Sequence, residues 1–333
     1  MNVLKNICSL HGSYYDNFSM QKKVLVTGGH GFLGSHVVQQ LHNFSQYVVF
    51  APEHALYDLC EQSEVRRLFA DVQPDIVIHL AARVGGIGEN RQYPGQLFYD
   101  NALMGIMMME CARKNHVEKY INIGTVCSYP SQTPVPFSED ALWDGYPEKT
   151  NAPYGIAKKM LLTQAQAYRE EYGFHSLYLI LTNLYGPKDN TDVYSSHVIP
   201  ALIRKFCTAV QKEERNVVLW GDGTPTRELL YVGDAARVIV DSIECTVDTF
   251  PINIGSGEEV SIAELAGIIA EKAGYHGTIS WDTSYPNGQM KRKIDSTKAR
   301  KYLNSVPEVS LQEGLDKTIA WYKTIQEDLS VLV

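Results

Sequence analysis

Residues 24–27, Val-Leu-Val-Thr, form a short apolar, mostly β-branched run that passes directly into Gly28-Gly29-His30-Gly31-Phe32-Leu33-Gly34. Helical patterning follows from 35 to 41. Strand, glycine loop and helix in that order constrain the fold more than any other stretch of this chain. Glycines there let the backbone approach a pyrophosphate, which then rests at the N-terminus of the helix. Set at the first strand of an alternating β/α chain, the GxxGxxG spacing predicts an α/β fold built on a Rossmann-type doubly wound parallel sheet. A dinucleotide is expected over Gly28, Gly29, His30, Gly31, Phe32, Leu33 and Gly34.

Further apolar strands are expected at 47–50, 76–80, 120–123, 177–181 and 252–254. The second ends in Ala51-Pro52-Glu53-His54. An acidic residue at this place binds the adenosine ribose of NAD, whereas a basic one receives the 2′-phosphate of NADP. Glu53 therefore argues for NAD, and His30 and His54 are the nearby residues suited to a 2′-phosphate. Asp58 and Leu59 border the expected adenine position. After the strand at 76–80, the small residues Ala81 and Ala82 let a cofactor lie against the backbone. The methionine-rich stretch at 96–114 reads as a helix packed on the sheet or at a dimer interface.

The strand at 120–123 breaks into Gly124-Thr125-Val126-Cys127. A hydroxyl and a thiol two positions apart thus sit at a strand end, where open α/β sheets bind their ligands. Thr150-Asn151-Ala152-Pro153 then opens a helix carrying Tyr154 and Lys158. At i and i+4 these two share one helix face. A tyrosine titrates near pH 10 when free, about, and a neighbouring ammonium is expected to lower that value. Such a tyrosine exchanges a proton with a carbonyl oxygen or a hydroxyl near neutral pH. Ser196-His197-Val198 begins another helix, and Lys291-Arg292-Lys293 is the densest basic run, whose default reading is a solvated face.

Composition removes several classes. The chain has 333 residues, 44% of them hydrophobic, enough for one large core or two domains. With a net charge of -8 and no long basic run, nucleic acid is not an expected partner. The six cysteines form no CxxC pair, so neither a disulfide framework nor a metal site is indicated, and a cytoplasmic location fits. No apolar stretch is long enough to span a membrane. Residues 1–20 lack a signal peptide's apolar centre and read as a poorly ordered extension.

Together, AARVGGI (81–87), TNAPYGIAKK (150–159), TNLYGPKDN (182–190), SSHVIPALIRKF (195–206) and WGDGTPTRE (220–228) resemble the extended short-chain dehydrogenase/reductases and, within them, the GDP-L-fucose synthase family. The resemblance covers residues 23–322. It implies an NADP-binding domain at 21–187 plus 228–256, a smaller C-terminal α/β domain for a GDP-sugar at 188–227 plus 257–330, and a homodimer built on the helices near 96–114 and 151–172. It assigns catalysis to Thr125, Cys127, Tyr154, Lys158 and His197, with Cys127 and His197 as an epimerising base and acid. A cysteine and a histidine ordinarily titrate near 8.5 and 6.5, which suits proton shuttling near neutrality, roughly. Cofactor contacts are extended to Ile123, Gly124, Lys158, Leu181, Asn183, Leu184 and His197. The substrate set is Asn183, Val198, Lys205, Leu219, Trp220, Arg227, Asn287 and Arg292. Asn287 stands where an aspartate is common, and Glu53 stands where relatives often place an arginine. A 4-reductase or 3,5-epimerase for another keto-deoxysugar, such as one serving GDP-colitose synthesis, stays open, as does a cofactor-binding sensor. A 4,6-dehydratase would need an acidic pair where Val126-Cys127 stand.

Overall fold

The computed structural model describes residues 21–192, 196–247, 250–285, 287, 289–303 and 306–331. The expected extension at 1–20 and Ser195 lie outside them. In chain order the elements are β1 (Lys22–Thr27), α1 (Phe32–Leu41), β2 (Tyr47–Phe50), α2 (Gln62–Val72), β3 (Ile76–His79), α3 (Ile87–Gln92), α4 (Pro94–Lys114), β4 (Lys119–Thr125), α5 (Ala152–Tyr172), β5 (Ser176–Leu181), β6 (Asn183–Tyr185), α6 (Val198–Gln211), β7 (Asn216–Trp220), β8 (Thr226–Tyr231), α7 (Val232–Asp241), β9 (Pro251–Ile254), β10 (Glu259–Ser261), α8 (Ile262–Ala273), β11 (Thr278–Asp282), α9 (Thr297–Tyr302) and α10 (Leu311–Val331).

Six of these strands form one sheet in the order β2-β1-β3-β4-β5-β9, and every pairing in it is parallel. Both faces are buried, so each strand must be apolar on both sides. On β1, Leu25 enters the cluster beneath α2, α4 and α5, while Val24 and Val26 enter the one beneath α1 and α7. The same division separates Val77 from Ile76 and Ile78 on β3, and Tyr178 and Ile180 from Leu177 and Leu179 on β5. Met107, Met108 and Met109 of α4 are buried in the first cluster, as a helix packed on the sheet requires.

The sheet order reverses between β1 and β3, and the crevice outside such strand ends is where dinucleotides bind. Gly28 takes φ +69°, and a Cβ there would lie 2.8 Å from the Ala81 nitrogen. The first and third strand ends therefore meet with no room for a side chain.

Beyond β5 the alternation changes. β6 and β8 pair in parallel and β8 takes β10 antiparallel, giving a small three-stranded sheet. β7 and β11 form a separate parallel pair. A third core binds α6, α8 and α10 around Phe206, Leu265, Ile269 and Leu315. The segment from β8 returns through α7, which packs beside α1, and β9, which completes the large sheet.

Candidate active site

The dinucleotide cradle is built from backbone. Gly31 precedes α1 and offers no side-chain cap, so the first amides of that helix keep their hydrogens for a ligand. Thr27 Oγ1 and His79 Nδ1 lie 2.8 Å apart beneath the loop, and Thr27 Oγ1 also accepts the Ala81 N–H at 3.3 Å. His79 is fully buried, and burial together with the Lys158 charge lowers its pKa to about 3. This imidazole is a neutral strut. The His30 ring reaches the Ala51 carbonyl at 2.8 Å, which sets it at the end of β2 beside the exposed Glu53 and His54. The arrangement fits a dinucleotide, since glycine backbone and helix amides face the strand ends and ionisable side chains stand where an adenosine ribose would end.

At the end of β4, Thr125 Oγ1 accepts the Cys127 N–H at 3.2 Å and winds the chain into a short helical turn over Val126–Ser128. α5 is pressed against that turn. A side chain on Gly155 would collide with the Cys127 carbonyl oxygen, and the Ser128 hydroxyl donates to the Gly155 carbonyl at 2.9 Å. The neighbouring Tyr154 phenol is thereby brought into hydrogen-bonding reach of Thr125 and beside Cys127. One turn on, Lys158 is 3% exposed, and its backbone carbonyl accepts from Tyr178 Oη at 2.8 Å.

The electrostatics differ from the expectation that Lys158 pulls the Tyr154 pKa down. Burial, and then the nearby Cys127, push the phenol above its ordinary range, against the Thr125 hydrogen bond. Burial also lowers Lys158 to about 8. Removing both groups from water disfavours both charged forms. In this state the tyrosine is a proton donor rather than a phenolate.

Arg292 does not lie on a solvated face. It belongs to a segment laid along β8, where the Thr226 and Glu228 amides donate to the Met290 and Arg292 carbonyls at 2.8 and 3.1 Å. Glu228 is fully buried and accepts from the Gly257 and Ile294 amides at 2.7 and 2.8 Å, which fastens the segment. Arg292 Nη1 then donates to Cys127 Sγ at 3.6 Å, while Gln289 Oε1 accepts from its Nε and Nη2 at 3.2 and 2.9 Å. Burial, with Arg292 close by, lowers Arg227 to about 10. Two guanidinium groups thus converge on the thiol.

His197 caps the start of α6, 49% exposed, with Nδ1 4.0 Å from Asp189 Oδ1. Its surroundings are crowded enough that desolvation lowers its pKa. Its ion-pair neighbour among the described residues is Asp189, not Cys127, Tyr154 or Thr125.

Farther out, Trp220 is 65% exposed and stacks on Tyr285 with ring centroids 4.3 Å apart and planes 7° from parallel. Lys205 Nζ donates to the Val218 carbonyl at 3.0 Å and lies 5.7 Å from the Trp220 ring centre. Asn287 Oδ1 accepts the Asp222 N–H at 2.9 Å, which ties this rim to the turn after β7. Asn183 Nδ2 donates to the Glu228 carbonyl at 3.2 Å.

Leu59, Ile123, Leu181 and Leu219 bury their side chains in the three cores. Leu33, Leu184 and Val198 lean on those cores from partly buried positions. Gly124 is held against the Tyr178 ring, Gly29 and Gly34 are buried, and Phe32, Ala81 and Ala82 are partly covered. Asp58 is exposed, and its Oδ1 accepts the Cys60 N–H at 2.9 Å. Sequence reasoning passed over Asp189, Glu228, Tyr285 and Gln289. The first two lie inside quoted motifs, but spacing assigns them no partner.

Residues 24–255 match the model of the NAD dependent epimerase/dehydratase family. A GDP-L-fucose synthase of Sinorhizobium fredii is 39% identical over 297 residues, which cover 89% of this chain and 94% of the relative. GDP-L-fucose synthase 1 of Arabidopsis thaliana is 38% identical over 300 residues, 90% and 93% of the two chains. Among solved structures, a GDP-L-fucose synthetase from Naegleria fowleri bound to NADP superposes with a TM-score of 0.83 at 28% identity, covering 92% of this chain and 95% of that one.

Proposed function

The chain belongs to the NAD dependent epimerase/dehydratase family, and from that premise we propose that it is a GDP-L-fucose synthase, epimerising GDP-4-keto-6-deoxymannose at C3 and C5 and reducing C4 with NADPH. The observation that carries this reading is the convergence of a thiol, a threonine hydroxyl and a helix-borne tyrosine at the end of β4. A reductase alone has no use for the thiol, and a dehydratase would need acids there.

NADPH would be held by the glycine loop after β1, the start of α1 and Lys158, and would supply the hydride for C4. The C4 ketone acidifies the hydrogens on C3 and C5. Cys127 removes a proton from one face, and His197 returns one from the other. Tyr154 and Thr125 hydrogen-bond the C4 oxygen, so charge developing there meets donors already in place. Tyr154 also protonates that oxygen at the end. Arg227 pairs with the pyrophosphate, since a guanidinium forks well onto phosphate oxygens, Arg292 borders the substrate beside Cys127, and the Trp220–Tyr285 pair offers a flat face to the base. Two lobes, divided at 187–188, 227–228 and 256–257, carry the cofactor and the sugar nucleotide respectively. Phe98, Tyr99 and Ile106 of α4 and Tyr172 of α5 are 40%, 61%, 38% and 47% exposed, which supports a homodimer through these helices. The five described cysteines are free thiols, which suits the cytoplasm. No helix among the described residues is long and apolar enough to cross a membrane.

Incubation with GDP-4-keto-6-deoxymannose tests the reading. Loss of NADPH absorbance with formation of GDP-L-fucose is expected. Oxidation of NADPH with only a D-series product would leave a simple 4-reductase and overturn it.

A further inference from the structure

Asp189 lies in the loop after β6, beyond Lys188, whose φ of +71° turns the chain. The Asp189 amide donates to the Gly186 carbonyl at 3.3 Å and closes the turn. Its side chain is 4% exposed. Oδ1 accepts the Asn190 N–H at 2.7 Å and faces His197 Nδ1 at 4.0 Å. Oδ2 is buried and has no hydrogen-bond partner among the described residues. Buried polar atoms are almost always paired, so an orphaned carboxylate oxygen beside an imidazole calls for an explanation.

The described neighbouring groups do not supply one. Arg204 is turned to the Thr191 carbonyl, the His36 ring bonds the Pro187 carbonyl at 2.9 Å, and Lys188 is exposed. His197, meanwhile, sits at the positive end of α6, where the helix dipole disfavours a charged ring. Desolvation acts in the same direction. A histidine that must deliver a proton needs a counterweight.

We propose that Asp189 is a positioning residue for His197, accepting its Nδ1–H and supporting the imidazolium, so that Nε2 carries the proton delivered to the substrate. The inference rests on the reading of His197 as the epimerisation acid. In that step the Nε2–H bond breaks, a C–H bond forms at the enolate carbon, and the imidazolium becomes the neutral Nδ1–H tautomer. Hydrogen bonds of this kind are often long in a ligand-free enzyme and tighten once substrate is bound. Burial raises the Asp189 carboxyl to about 7, while desolvation lowers the ring, so burial disfavours the charged form of each partner.

Asp189→Asn separates positioning from mere support. An asparagine Oδ1 still accepts the Asn190 N–H and still faces Nδ1, but the negative charge that supports the imidazolium is gone. In D₂O with the keto-sugar, deuterium entry at the carbon His197 serves is expected to fall on the order of 10- to 100-fold, a part of the roughly 10²–10⁴-fold that a general acid contributes. KM for the keto-sugar should stay within about twofold, because ground-state binding is untouched. In ¹⁵N-histidine spectra, with the His197 signals assigned by their loss in His197→Gln, Nδ1 should be protonated in the wild type, and the pH at which the ring becomes an imidazolium should fall in Asp189→Asn. If His197→Gln loses exchange while Asp189→Asn keeps both the wild-type rate and the wild-type ring titration, the positioning role is overturned and the proposed function stands. If His197→Gln itself exchanges at the wild-type rate, the acid assignment fails and the proposal falls with it. Should Asp189→Asn not fold, the wild-type spectrum decides alone, since an unprotonated Nδ1 contradicts the proposal.

Discussion

The two chemistries assigned to this site draw on regions built in opposite ways. The reducing group sits on one rigid body: Thr125 ends a strand of the large sheet, and Tyr154 and Lys158 share a helix packed over it. Lys158 is 3% exposed. The epimerising pair is split. Cys127 belongs to the turn after β4, whereas His197 opens α6, whose apolar face is buried in the third core, and its ring is 49% exposed. Residues that hold a ketone for stereospecific hydride transfer gain from fixed geometry. Two groups that must reach opposite faces of a sugar cannot come from one helix, and a split origin solves that problem.

Substitution of Tyr154 tests the rigid half most severely. Tyr154→Phe should lower the reduction rate by about 10²–10⁴-fold, the range for a lost general acid. NADPH binding followed by fluorescence should persist, because the ring still fills its place. Near-normal reduction would remove the tyrosine from the mechanism.

The seam between the halves is Gly155. Gly155→Ala drives a methyl group into the Cys127 carbonyl, and overpacking of this kind costs about 1–3 kcal/mol. Thermal unfolding should show the loss, and both deuterium exchange and reduction should decline together. A variant as stable as the wild type would mean that α5 does not bear on the Cys127 turn.

Lys158 provides a pH test. Its pKa is lowered from 10.5 to about 8, so the ammonium is present below pH 8 and lost above it. The kcat/KM for NADPH, which reports free-enzyme pKa values, should therefore fall roughly tenfold per unit beyond pH 8. Stability runs the other way. Between about 8 and 10.5 the unfolded chain binds the proton that the folded chain has released, so this lysine's contribution to stability rises with pH. An activity profile flat to pH 10 would contradict the buried placement.

The smallest effect is expected at the cofactor's far end. Glu53 is exposed beside His30 and should repel a 2′-phosphate. Glu53→Arg should raise the NADPH over NADH ratio of kcat/KM several-fold, about 1 kcal/mol. No movement would show that Glu53 points away from the ribose.

The same contrast governs what could be read before the structure. The glycine loop, the strand-end hydroxyl and the Tyr154/Lys158 pair are local patterns, where a fixed spacing implies a fixed direction. The large sheet was legible for the same reason, since each of its strands is apolar on both faces. Arg292 shows where such reading stops. A basic run looks solvated until the buried Glu228 fastens its segment against β8 and turns one guanidinium to the thiol. Asp189 and Tyr285 acquire partners 8 and 65 residues away in number, His197 and Trp220, and no local period encodes such a meeting. The lowered tyrosine pKa failed on another ground. Charge attraction was counted and desolvation was not.

The central claim is that one ketone is worked on by two separable sets of residues, and Cys127→Ser in D₂O tests it most directly. A serine hydroxyl is a far weaker base, so the proton-transfer contribution of about 10²–10⁴-fold should be largely lost. The wild type should place deuterium at C3 and C5 and yield GDP-L-fucose. The variant should place little deuterium at either carbon, yet still slowly reduce the unepimerised ketone to a 6-deoxy sugar of the D series. Deuterium entry at the wild-type rate in Cys127→Ser would contradict the account and leave Cys127 a packing residue.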